Sequence, residues 1–191
     1  MAGKDFSQTP LEGLSLAQVA PEDRVARWFK LYELTKSETA DRQRIDNRIP
    51  SDEVLRSAVH LAREVLDPLR DAFGSFSPNS VFRSQALERV LKGRPSSWLS
   101  TSQHTLGWAC DVEITAKPTL ELAQWCAKHL AQFDQIICEC HDPTKGPNSG
   151  WVHVSLVPPG RGSNRRQSLS YVVDPRTGRL AYVSGLQASV A

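Results

Sequence analysis

The stretch STSQHTLGWACDVEI, Ser100–Ile114, passes from polar loop to alternating strand within a few residues. From Trp108 the period is two: Trp108, Cys110, Val112 and Ile114 fall on one face, Ala109, Asp111 and Glu113 on the other. Asp111 therefore points away from the bulky apolar side chains. His104 stands seven residues earlier, too far back to share a helical turn with it. The two can meet only where a loop crosses onto a strand.

Two later segments share this character. DQIICEC (134–140) puts Gln135, Ile137 and Glu139 on one strand face, and WVHVSL (151–156) puts Val152, Val154 and Leu156 in the core, opposite Trp151, His153 and Ser155. Between them lies the turn-rich HDPTKGPNSG, and beyond them the loop PPGRGSNRRQS and a terminal hairpin, SYVVDPRTGRLAYV, turned at Asp174 to Gly178. Helices precede the strands. NSVF is a short strand candidate, and RVARWFKLYELTKSETADRQRI is amphipathic, with Trp28, Phe29, Leu31 and Leu34 expected to dock on the core. A long helix opens after Pro50 and Ser51, is kinked or divided by Pro68 and stops at Gly74. SQALERVLKG and TLELAQWCAKHLAQ are two further helices. The expected fold is α+β, an antiparallel sheet backed by helices, with an N-terminal helical lead-in and a C-terminal hairpin. The expected division is an arm at 1–24, a main domain at 25–160 and a loop-and-hairpin extension at 161–191.

A chain of 191 residues suits one domain with a sizeable core. Its net charge of +2 is too small to point to nucleic acid, and no nucleic-acid partner is expected. No apolar run approaches the roughly 20 residues of a membrane span. The opening MAGKDFSQTPLEGLSLAQ lacks a secretory signal's apolar core, so synthesis in the cytoplasm is expected. Cys110, Cys126, Cys138 and Cys140 contain no C-x-x-C pair; buried free thiols are the first reading, with a disulfide or thiol ligation left open. His60 and His129 read as ordinary helix residues, and His141 as a solvated loop residue or a cleft residue. Arg161, Arg165 and Arg166 read as a solvated loop, with contact to an anionic wall polymer as the alternative.

Three strands thus each present a polar residue where a half-buried sheet normally carries something blander: Asp111, Glu139 and His153. With His104 they include two imidazoles and a carboxylate, a common ligand set for a catalytic zinc with a fourth position open. Glu139, not needed as a ligand, is the candidate general base; pairing with Lys145 or a loop arginine is the alternative. Taken singly, His153 would read as structural and Arg83 as a surface ion-pair partner.

These residues carry a resemblance. SQHTLGWACD fits the S-x-H-x-x-G-x-A-x-D signature of the zinc D-alanyl-D-alanine carboxypeptidase family, and WVHVS is similar to its second motif, W-x-H. FKLYELTKSETADRQRIDNRIP followed by VLDPLRDAFG resembles the helical lead-in of the phage-associated branch, and SVFRS its S-x-Y-R-S strand end. The resemblance spans roughly Phe29 to Ser155. It implies a fold like that family and the related hedgehog domain, zinc (Zn2+) on His104, Asp111 and His153, and an oxyanion-stabilising, substrate-gripping Arg83. Ser102 supports that role. Trp151 is either core or cleft wall and is counted with the substrate contacts. Gly107 and Ala109 are expected to let loop and strand approach the metal closely.

Two departures stand out. Several relatives carry the catalytic glutamate three residues before the second histidine, where this chain has Gly150, so the base is expected at Glu139, with Asp142 and Glu113 as fallbacks. QALERVLKG and RPSSWLSTSQH replace the family's small-residue and glycine-rich segments, which alters the cleft. The resemblance implies a peptidase acting on peptidoglycan stem peptides, a phage-type lytic enzyme reaching the wall after release or as part of a virion. A wall-associated binding module that keeps the zinc but hydrolyses little is the alternative, and a basic nucleic-acid-associated factor a weaker third.

Overall fold

The computed structural model describes residues 3–174 and 176–188. Its fold is α+β: five α-helices and one five-stranded sheet of order β1-β3-β2-β4-β5 among the described residues. The strands are β1 (Ala109–Val112), β2 (Gln135–Glu139), β3 (Trp151–Ser155), β4 (Gln167–Val173) and β5 (Leu180–Ser184).

The sheet is mixed, which corrects the antiparallel expectation. β3 pairs antiparallel with β1 on one side and β2 on the other, but β4 runs parallel to β2. The reason is topological. Both edges of β3 are taken, so the chain leaving it must pass the start of β2 and pair on that strand's far side. Asp134 pins the crossing: its carboxylate accepts from the Arg165 backbone at 3.0 Å and from the Arg165 guanidinium at 2.8 and 2.5 Å, and its carbonyl accepts from Gln167 N–H at 2.9 Å. The hairpin β4–β5 thereby continues the sheet. Arg161, Arg165 and Arg166 lie exposed on a surface loop as expected, but each has a partner: Arg165 binds Asp134, Arg166 lies 4.6 Å over the Phe133 ring, and Arg161 pairs with Glu53 at 2.8 Å.

The helices are α1 (Glu38–Gln43), α2 (Asp52–Leu61), α3 (Asp67–Phe73), α4 (Gln85–Leu91) and α5 (Thr119–His129). Ser51 caps α2, its hydroxyl accepting from Val54 N–H at 3.3 Å. The long helix is divided as expected, and the device is a π-turn over Ala62–Leu66 that lets the chain re-enter α-geometry with Pro68 in the first turn of α3, where no N–H is required. Leu55, Ala58, Leu61, Ala62, Val65 and Leu69 are fully buried. With Leu122 and Cys126 of α5 they join one core with Cys110, Val112, Ile136, Val152 and Val154 from the back of the sheet. Phe29, Leu31 and Leu34 dock as expected, whereas Trp28 is 47 % exposed. Its indole N–H donates to Asp71 at 2.7 Å.

Residues 79–83 form no strand; Ser80 makes a single bridge to Asp111. That bridge matters for the site, because Asp111 N–H donates to Ser80 at 2.8 Å and Arg83 N–H donates to the His104 carbonyl at 3.2 Å. Asn47 holds the segment from behind, donating to the Phe82 carbonyl and accepting from Ser84 N–H.

Candidate metal centre

The front of the sheet carries the polar residues. Asp111 and His153 are register partners across β1 and β3, so their side chains rise from the same face. His104 comes from the one-turn 3-10 helix Gln103–Leu106, which delivers the chain into β1 through Gly107. Gly107 is required, but not for the reason expected. At φ +71° a Cβ would lie 2.9 Å from the Val54 carbonyl and 3.1 Å from Ala58, so the glycine lets the loop lie against α2, on the side away from the ligands.

The three groups converge. One atom from each of His104, Asp111 and His153 lies within 4.8 Å of the others, a spacing that could hold a metal ion. Asp111 Oδ1 is 3.2 Å from His104 Nε2 and 3.0 Å from His153 Nδ1, and its Oδ2 accepts from Arg83. The two rings meet edge to face at 5.1 Å. His104 Nδ1 lies 2.7 Å from the Val81 carbonyl, which can only accept, so that nitrogen carries the proton and Nε2 presents a lone pair. A donor arrangement of this kind orients metal-bound histidines.

Electrostatics sharpen the fit. Burial pushes the His104 imidazole below its ordinary pKa and so keeps it neutral. Burial opposes the Asp111 charge, yet the hydrogen bond from His153 and the Arg83 guanidinium hold its carboxyl below the usual range. A neutral imidazole lone pair then faces a carboxylate oxygen with no proton between them. A cation shared by both removes that conflict. The residues present therefore fit a divalent ion.

The centre lies in a cleft of ≈ 590 Å³ whose walls include Arg83, Ser102, Glu139 and Trp151. All the residues singled out by sequence are thus at the centre or in its cleft. Burial pushes the Glu139 carboxyl above its ordinary value, with the Asp111 charge adding to the shift and His153, Lys92 and Arg83 opposing it. Among the described residues Glu139 has no ion pair: Lys145 goes to Asp142 and Arg165 to Asp134. Glu113 and Asp142 are engaged outside the cleft, with Asn79 and with Thr144 and Lys145. Gly150, at φ +73°, packs on the end of β2, where a Cβ would stand 2.1 Å from the Glu139 carbonyl oxygen. No glutamate side chain fits there.

Arg83 is more committed than a free substrate clamp. Its Nε donates to Ser80 at 2.7 Å, and its two terminal nitrogens reach Glu88 and Asp111. Three of five donors are used, leaving two. Glu88 escaped the sequence reading. It is fully buried in α4, accepts from Ser100 Oγ at 2.9 Å and contacts Arg83 at 3.3 Å. An acid within the amphipathic ALERVL carries no outward sign that its partner lies in the preceding segment. Tyr182, which also lines the cleft, was missed because its strand joins the sheet only through the parallel pairing of β4.

The remaining histidines and the four cysteines do not line the cleft. His141 is buried rather than solvated, its Nδ1 3.1 Å from the Ser149 carbonyl, and it does not line the cleft. His129 stacks on Trp125 at 4.8 Å. All four cysteines are free, and burial pushes the Cys126 and Cys138 thiols up to about 12. No described helix is long and apolar enough to cross a membrane. Compared with known proteins, the chain matches no family model, no curated protein and no solved structure.

Proposed function

We propose that the chain is a zinc peptidase that hydrolyses a peptide bond in bacterial peptidoglycan, in stem peptides or their cross-links, in the manner of phage-type lytic enzymes with a hedgehog-like zinc fold. The observation that carries this reading is the convergence of His104, Asp111 and His153 in a cleft that also holds a partly buried glutamate with no ion pair among the described residues. The S-x-H-x-x-G-x-A-x-D and W-x-H patterns supply the substrate class.

Two imidazole nitrogens and one carboxylate oxygen suit zinc. Held there, zinc supplies Lewis acidity toward a carbonyl and brings the pKa of water toward 7. The protein's own groups do the rest. Val81 fixes the His104 tautomer, and Arg83 holds Asp111 by its second oxygen. Glu139 takes a proton from the attacking water and returns it to the leaving amine, a role its raised pKa favours. The two uncommitted Arg83 N–H groups are available to the developing oxyanion.

The test is metal analysis together with hydrolysis of purified peptidoglycan, followed by mass spectrometry of the released muropeptides. His153→Ala should lose zinc and lysis together. Full lysis by a metal-free variant ends the proposal, and a wild type no faster than Glu139→Gln leaves only a zinc-bearing wall-binding module.

A further inference from the structure

The two oxygens of Asp111 are divided between different neighbours. Oδ1 faces the imidazoles, 3.2 Å from His104 Nε2 and 3.0 Å from His153 Nδ1, while Oδ2 accepts from Arg83 Nη2. A guanidinium beside a carboxylate commonly takes both oxygens at once with two parallel N–H groups. Arg83 does not. Its Nε donates to Ser80 Oγ at 2.7 Å and its Nη1 to Glu88 Oε1 at 3.3 Å, which leaves Nη2 for Asp111.

Glu88 is itself firmly held. It is fully buried in α4, and its second oxygen accepts from Ser100 Oγ at 2.9 Å. The Gln85 side chain exchanges hydrogen bonds with the Ser100 backbone at 2.8 and 3.1 Å, so the hydroxyl cannot drift. At the start of α4, Ser84 N–H donates to Asn47, which also holds the Phe82 carbonyl, and this ties the helix to the segment that carries Arg83. A buried ion pair adds little stability over a well-packed apolar pair of the same volume. What it adds is direction, and here it turns one edge of the guanidinium away from Asp111.

We propose that Glu88 is a positioning residue for the metal centre: by engaging Arg83 it confines the guanidinium to Asp111 Oδ2 and keeps Oδ1 free for a divalent cation. Without that carboxylate, Nη1 loses its acceptor, and the guanidinium settles on both oxygens of Asp111 and competes with the ion for Oδ1. The proposal rests on the metal reading of the centre and not on the peptidase reading.

The probe is zinc alone, titrated into the metal-free protein against a chromophoric chelator, with denaturant unfolding of the metal-free protein measured alongside. Glu88→Met keeps the volume, removes the acceptor and should lower zinc affinity about tenfold, the lower end of what outer partners of metal ligands contribute. Glu88→Gln, whose amide oxygen still accepts from Nη1, should stay within about threefold of wild type. In an Arg83→Gln background, Glu88→Met should change zinc affinity by less than about twofold, because no guanidinium is left to steer. Easier unfolding with wild-type zinc affinity in Glu88→Met makes the residue purely structural and overturns the proposal. Equal losses in Glu88→Met and Glu88→Gln, or equal losses with and without Arg83, overturn it in favour of a nearby negative charge acting through space. Where Glu88→Met does not fold, Ser100→Ala decides: a loss of about threefold supports the role and no loss overturns it. A wild type that takes up no zinc overturns the metal centre and this role together. The zinc constants decide on Glu88 whether or not the protein hydrolyses peptidoglycan, so the peptidase reading and this one fail separately.

Discussion

Two carboxylates on one face of the sheet, the buried Asp111 and the partly buried Glu139, differ in what they touch. Asp111, at the β1–β3 end, is met by His104, His153 and Arg83. Glu139, on β2, is met by no partner among the described residues, and burial raises its pKa. In the proposed function the first is a lasting anion and a metal ligand, and the second exchanges a proton. What separates the two is direct contact: Asp111 is hydrogen-bonded to Arg83 and His153, whereas Glu139 meets the cationic groups of the cleft only at a distance, and burial works against the charge of both.

The largest expected effects separate the two ends directly. Asp111→Asn should lower metal affinity by more than about 100-fold, since even an outer partner of a ligand is worth about 10–100-fold. Glu139→Gln should retain metal and lose about 10²–10⁴ in kcat. Equal metal loss in both variants, measured by metal analysis after dialysis, would dissolve the distinction. The pH–rate profile sharpens it: the acidic limb of kcat/KM should lie above the ordinary glutamate range and vanish in Glu139→Gln.

A smaller effect concerns the support behind Arg83. Glu88→Ala leaves a guanidinium with one anchor fewer and Ser100 without its acceptor, and should cost about 3–5 kcal/mol in denaturant unfolding. Glu88→Gln should recover part of that loss. The smallest effect is on the metal-free protein. Because the folded-state pKa of Glu139 is raised, its ionisation costs stability as pH climbs from the unfolded value through the folded one, and that cost is absent at lower pH. Asp111 has the opposite sign: its contribution is present above the unfolded carboxylate value and fades as pH falls toward its depressed folded value. Glu139→Gln should therefore raise Tm at pH 7 and lose that advantage below about pH 4.

Much of this was legible in the chain. Period-two alternation around Asp111, Glu139 and His153 put all three on the correct side of their strands, because side-chain direction in a strand is a local property. The order and direction of the strands are not local. Nothing in SYVVDPRTGRLAYV says that its first strand pairs parallel with β2; that follows from both edges of β3 being occupied and from Asp134 binding Arg165 across the crossing. Glu88 went unnoticed for the same reason, since a charged residue looks solvated until its distant partner is known. Gly107 was correctly singled out and its neighbour mistaken: the surface it approaches is α2, not the ligand cluster.

The position of β2 between β3 and β4 has a consequence for biosynthesis. The three candidate ligands have all been translated once His153 is made, but the strand that carries Glu139 keeps one bare edge until β4 is complete at Val173, about twenty residues later. At roughly 5–20 residues per second that interval lasts on the order of seconds. During it the nascent chain already carries the three residues that could hold an ion yet lacks the strand that lies beside Glu139 in the finished sheet.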